Sequence, residues 1–227
     1  KTVVANKGYD NRKKALLYGI DEYDVPAGKK AFTKNDMTWR SIQGCKNDVD
    51  TLRTILTNYN GFAPANIFSI TNDEATKEKT LSSFKKFSGT IRKGDVVFIH
   101  FSGHGYLMKF LPDSLRQYEG LALPSRDVNY PEDTAISASN YIFQFQLEEF
   151  FNGIKKQIGK DGQLIISLDV SHSGELLSYG EKDSASVVHE TISRRGESNN
   201  ILFNLVKGNE GTVIIYTATS SQEVGYE

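Results

Sequence analysis

An α/β sandwich is the fold class this sequence predicts: a mostly parallel central sheet with helices on both faces, three layers in all. Two segments and one alternation point to it. VVFIHFSGHG (Val96 to Gly105) and LIISLDVSHSG (Leu164 to Gly174) are both short, apolar, β-branched runs that break into a turn of small residues carrying a histidine. Strand-type runs also alternate with stretches of helical spacing, the pattern of βαβ units and a parallel sheet. In open sheets of this kind reactive groups collect in the crevice beyond the carboxyl ends of the strands. A histidine after one strand and a nucleophile after its neighbour therefore meet there without special construction.

The elements follow in order. Behind a polar lead (1–12), KKALLYGI (Lys13 to Ile20) reads as a buried strand. The stretch to Gly44, with Pro26, Gly28 and many polar residues, reads as an irregular loop. Asn47 or Asp48 is a candidate cap for a helix whose apolar positions Val49, Leu52, Ile55, Leu56 and Tyr59 recur at helical spacing. NIFSIT (Asn66 to Thr71) is a short strand, and Thr76 opens a second helix with Leu81, Phe84 and Phe87 on one side. Gly94–Asp95 turns the chain into the strand Val96 to Phe101. Tyr106 to Pro131 is expected to form a hairpin or a covering loop. Ser139 is expected to start a longer helix, SNYIFQFQLEEFFNGIKKQI, acidic early and basic late as the macrodipole favours. Leu164 to Leu168 and Gly211 to Thr219 are the remaining strands. Between them, Glu175 to Asn200 is charged, Ser-rich and poor in large apolar residues, and reads as a mobile loop open to cleavage.

Bulk properties narrow the function. The chain has 227 residues, 38% hydrophobic and 24% charged, enough for one medium domain with a full core. A net charge of −1 and the absence of a long basic run argue against nucleic acid and against an anionic membrane as partners. A single cysteine, Cys45, excludes an internal disulfide and suits a reducing compartment, so a soluble cytoplasmic protein is expected. The sequence starts at Lys1 rather than Met, which marks it as trimmed or as a piece of something longer.

KALLYGIDEY, GCKNDV, HFSGHG, DVSHSG and TATSSQEVGYE, in that order, resemble the motifs of the caspase-like cysteine peptidases. The metacaspase and bacterial caspase-like branch is the better match; animal caspases carry a Q-A-C-x-G type nucleophile motif instead. The resemblance covers about Lys13 to Glu227 and implies the caspase-haemoglobinase fold in a single domain. Residues 13–174 would be its large-subunit-like part, 175–210 a mobile, cleavable loop and 211–227 the start of a small-subunit-like part. Such an enzyme needs a thiolate, a base that generates it and donors for the oxyanion of the tetrahedral intermediate. The resemblance makes His104 the base, position 171 the nucleophile, and the Gly105 N–H with that of residue 171 the oxyanion donors. Asp48, Ser102 and Asp169 resemble the family's acidic specificity pocket, with Cys45 at its edge as a small packing residue. Paired carboxylates there imply protein or peptide substrates with Arg or Lys before the scissile bond. Two plainer readings compete: Asp48 as a helix-start residue and Asp169 as a turn former. Arg194–Arg195, in SRRGESNN, is either a site the enzyme would process in itself or an ordinary solvated pair. His100 precedes His104 by four residues, but a strand with that spacing makes no metal helix, so His100 reads as a core residue and His172 as part of the turn.

Three features depart from the family pattern. Ser171 stands where a cysteine is expected, and a hydroxyl is far less acidic than a thiol. No G-x-S-x-G elbow supports a serine hydrolase instead. Either Ser171 replaces a cysteine and silences an otherwise intact peptidase, or the chain is a natural pseudopeptidase acting as a peptide-binding or regulatory module. Some relatives bind calcium, and Asp127, Glu132 and Asp133 lie in the corresponding region. ISASNY has Ser and Asn where an acidic pair is expected, so no cofactor and no metal are expected. The family also normally adds a helix and a strand beyond the last strand here, which leaves room for further domains or a regulatory partner.

Overall fold

The computed structural model describes residues 8–24, 41–110, 118–128, 140–173 and 211–219. Its centre is a five-stranded sheet in the order β2-β1-β3-β7-β8, with every neighbouring pair parallel. These strands are β1 (Lys13–Gly19), β2 (Ile67–Thr71), β3 (Val96–Gly103), β7 (Gln163–Val170) and β8 (Thr212–Thr217). A parallel pair needs a crossover rather than a tight turn, and helices supply it at the start of the sheet: α1 (Cys45–Tyr59) joins β1 to β2, and α2 (Lys77–Ser88) joins β2 to β3.

The alternation of side chains along each strand divides the core in two. Ala15 and Leu17 of β1 face α1 through Val49 and Leu56, with Leu52 and Phe98 packed against them. Leu16 and Tyr18 face the opposite way, into the larger core under α2 and α3 (Gln144–Ile158). Phe84 of α2 stacks on Phe150 of α3, with ring centroids 4.2 Å apart and planes 9° from parallel. Helices therefore cover both faces of the sheet, as expected.

Three details differ from expectation. The first helix starts at Cys45 behind Gly44, at φ 118°, so neither Asn47 nor Asp48 is its cap. The cap comes from a distant residue: Asp21, leaving β1, accepts the Lys46 N–H at 3.2 Å. On that helix Ile55 (40% exposed) and Tyr59 (82%) stand outside the core, because Val49, Leu52 and Leu56 lie on the face turned to the sheet and they do not. Thr76, by contrast, does cap α2, its side chain accepting the Lys79 N–H.

The third difference lies in the 106–158 region. Tyr106–Phe110 (β4) and Tyr118–Pro124 (β5) form an antiparallel hairpin, and Tyr141–Phe143 (β6) joins it as a third strand. The Tyr-Ile-Phe run is therefore strand and not the opening of the helix. Three consecutive aromatic or β-branched residues favour a pleated strand where an edge is on offer. The switch to helix comes at two glutamines: the Gln146 side chain accepts the Phe143 N–H at 3.0 Å, and that of Gln144 accepts the Leu121 N–H at 3.0 Å. Among the described residues no helix is long and apolar enough to cross a membrane.

Candidate active site

The register of the central pair builds the site. Ser102 of β3 is opposite Asp169 of β7, and Gly103 is opposite Val170. The next step along each strand is His104 on one side and Ser171 on the other, so both sit at the carboxyl edge of the sheet, where the crevice is expected. Both are half-buried. Gly105 is pressed against the partner turn: a Cβ on it would lie 1.9 Å from the Ser171 carbonyl oxygen and 3.0 Å from its nitrogen. No side chain fits there, so glycine at 105 is what lets the two turns close. On the far turn His172 takes a left-handed conformation, φ 59°, which reverses the chain straight after Ser171.

Three other residues hold these turns, and the sequence alone does not single them out. Ser173, fully buried, donates its N–H to the Thr219 hydroxyl at 3.1 Å and accepts the Thr219 N–H on its own hydroxyl at 3.2 Å. The Thr219 hydroxyl also bonds the Val170 carbonyl at 3.3 Å. Tyr23, on the chain leaving β1, accepts the His104 N–H on its phenolic oxygen at 2.9 Å. All three lie within motifs already quoted, GIDEY, DVSHSG and TATSS, but the bonds they make are tertiary and leave no local signal.

Beside the dyad positions lies the acidic group. Asp48, in the first turn of α1, accepts the Ser102 hydroxyl at 3.2 Å on Oδ2. Asp169 is a strand residue and not a turn former; its pairing with Ser102 brings it to the same face. Partial burial of its carboxyl, and then the negative charge of Asp48, push its pKa above the ordinary aspartate value. The Asp48 charge thus bears on the Asp169 carboxyl across the strand pair. Cys45 is buried one turn before Asp48, a reduced thiol in no disulfide. Its carbonyl oxygen would lie 2.5 Å from a Cβ on Gly19, so the helix start is wedged against the end of β1.

His100 lies deeper on the same face, its Nδ1 3.1 Å from the Ser167 hydroxyl and its Nε2 buried with no hydrogen-bond partner among the described residues. Burial, opposed by the charge of Asp48, pushes its pKa from 6.5 down to about 4. A lowered pKa means the neutral ring stabilises the fold fully above the unfolded value of 6.5, and this is lost as pH falls through about 4. Urea unfolding should therefore lose about 2 kcal/mol between neutral pH and about pH 5 from this group alone. In His100→Gln that part of the pH slope should vanish; an unchanged slope would show that the ring is not held neutral.

The other candidates fall elsewhere. Asp127 accepts the Lys77 N–H at 3.0 Å on Oδ1, which commits it to the start of α2. Glu132, Asp133, Arg194 and Arg195 lie outside the described residues. Among the described residues no group of three or more His, Cys, Asp or Glu side chains could hold a metal ion.

Comparison with known proteins gives the family. Residues 13–179 match the family described as metacaspase, peptidase C14 domain. Metacaspase-6 of Arabidopsis thaliana is 29% identical over 175 residues, 75% of this chain and 40% of its own length. Metacaspase-1 of Candida albicans is 27% identical over 187 residues, 76% of this chain and 36% of its own. The chain thus spans well under half the length of these relatives. Among solved structures, Caspase-1 of Spodoptera frugiperda superposes with a TM-score of 0.53 at 13% identity, covering 98% of this chain and 66% of that one. A protein from Geobacter sulfurreducens gives 0.50 at 17% identity, covering 73% and 52%. At these identities the structural likeness speaks for the caspase fold alone. A family match across most of the chain, over a sheet that sets His104 and position 171 at one edge, makes this chain a member of the metacaspase family of cysteine peptidases.

Proposed function

We propose that the domain is built to cleave peptides after Arg or Lys, with His104 as general base and a thiol at position 171 as nucleophile, and that Ser171 leaves it silent. The observation that carries the specificity is the acidic group of Asp48, Ser102 and Asp169 beside the two turns. A guanidinium or ammonium entering there gains charge-assisted hydrogen bonds and relieves the repulsion between the carboxylates. The Gly105 and position 171 amides, brought together by the close approach of their turns, would stabilise the oxyanion. The same preference would cut the chain itself at Arg194–Arg195. Activity would need no calcium, since the Asp127 carboxylate is engaged at the start of α2.

The test is Ser171→Cys assayed on matched peptides with Arg, Lys or Asp before the scissile bond. Arg and Lys peptides should be cut and Asp peptides spared. Asp48→Asn should lower kcat/KM for the Arg peptide about tenfold or more, the loss of one charge-assisted pairing. Because the Asp169 pKa is raised, its ionised form is lost earlier than usual as pH falls, so KM for basic peptides should rise on acidification sooner than for an ordinary aspartate. Equal cleavage of the Asp peptide would remove the acidic-pocket reading. Ser171 itself favours a second reading, a peptide-binding module without turnover. In that case Ser171→Cys would bind the basic peptides and leave them uncut.

A further inference from the structure

We infer that Tyr23 is a positioning residue for His104, holding the base by a side-chain bond where the sheet can no longer do so. This rests on the peptidase reading above. The β1–β3 ladder runs out at Gly19 opposite Ser102, and its last bond is the Ile20 N–H to the Ser102 carbonyl at 3.2 Å. Beyond it the chain is Gly-His-Gly, and flanking glycines leave an imidazole with the least backbone restraint any sequence can give. A base must be held within a narrow range of orientation to act.

Tyr23 supplies what the ladder does not. Its phenolic oxygen takes the His104 N–H at 2.9 Å, and its ring lies against the imidazole, centroids 4.9 Å apart and planes 39° from parallel. Gly103, at φ 156°, makes room for it: a Cβ there would stand 3.0 Å from the Tyr23 hydroxyl. One side chain thus fixes both the amide and the ring of the base.

Tyr23 is itself 6% exposed and held from both sides. Upstream, the Asp21 N–H donates to the Asn72 side chain at 2.9 Å. Downstream, the Asp24 N–H donates to the Arg126 carbonyl at 2.8 Å. The Arg126 guanidinium pairs with Glu22 and Asp24, on either side of the tyrosine, and with Asp73 beyond β2. The restraint on the base is therefore passed from the loop after β5, through the segment that leaves β1, to the loop after β3.

Tyr23→Phe keeps the ring and removes the hydroxyl that accepts the His104 N–H. In the Ser171 chain, hydrogen exchange read by NMR should show the His104 amide protected in the parent and exchanging at least about tenfold faster in the variant. In the Ser171→Cys background, kcat should fall about tenfold with KM unchanged, since the acidic pocket is untouched and only the reacting geometry loosens. A merely structural tyrosine would instead lower thermal stability and leave kcat of the folded enzyme intact. Unchanged exchange at His104, or unchanged kcat with exchange released, overturns the inference. If Ser171→Cys proves inert, the peptidase reading falls on its own. The positioning is then decided by exchange together with the His104 imidazole titration: both altered by Tyr23→Phe supports it, and either unaltered overturns it.

Discussion

Ser171→Cys should raise hydrolysis of an Arg peptide at least about a thousandfold over the serine chain, and His104→Ala in that background should remove nearly all of the gain. The reason is acidity. A thiol titrates within a few units of neutral pH, and an adjacent imidazole can take its proton to leave a stable ion pair; a hydroxyl gives up its proton far less readily. A serine peptidase makes up the difference with a third group that orients the base and stabilises its charged form. Tyr23 is not a group of that kind, since its oxygen accepts the His104 backbone amide and not an imidazole proton. A thousandfold corresponds to about 4 kcal/mol of barrier, the size expected from exchanging a poor nucleophile for a good one in a site otherwise formed. Steady-state kinetics on one fluorogenic peptide suffice. A serine chain as fast as the cysteine variant would mean that the site activates hydroxyls after all.

Gly105→Ala is expected to be the most damaging single methyl that can be added near the site. The new Cβ would meet the backbone of Ser171 at 1.9 Å, and backbone, unlike the tip of a flexible side chain, cannot step aside. The two turns must separate, which costs packing energy of about 1–3 kcal/mol and moves the base, the nucleophile and both amides relative to one another. In the Ser171→Cys background, loss of activity should exceed a hundredfold while the protein stays folded by circular dichroism. Gly153→Ala is the control. That glycine lies within α3 with nothing within 4 Å of the added carbon, so it should gain stability by about 0.5–1 kcal/mol and keep full activity. Equal effects of the two substitutions would mean that the close approach of the turns does not matter.

The strands were the legible part of this sequence: β1 and β3 contain runs buried on both faces, and β7 alternates buried with part-exposed residues along a largely apolar run. The turns that follow them announced the site, since small residues around a histidine have little other purpose after such a run. What stayed hidden depends on contacts between distant residues. Asp48 looks like a cap until Asp21 is seen in that role from the end of β1. Tyr141–Phe143 reads as helix until the free edge of β5 is beside it. Ile55 and Tyr59 keep the helical spacing, yet the breadth of the face that α1 turns to the sheet is set by the sheet. Ser173 is an ordinary small residue in its motif until Thr219 lies opposite.

The bonds between Ser173 and Thr219 join two pieces of chain that a cut after Arg194 or Arg195 would make separate polypeptides. β7 and β8 also remain zipped along Gln163–Leu168 and Thr212–Thr217. Such a nicked molecule would run as two bands on a denaturing gel and sediment as one particle. Its nucleophile turn would be braced by the smaller fragment, so washing that fragment away, and not the cut itself, would be what ends its working life.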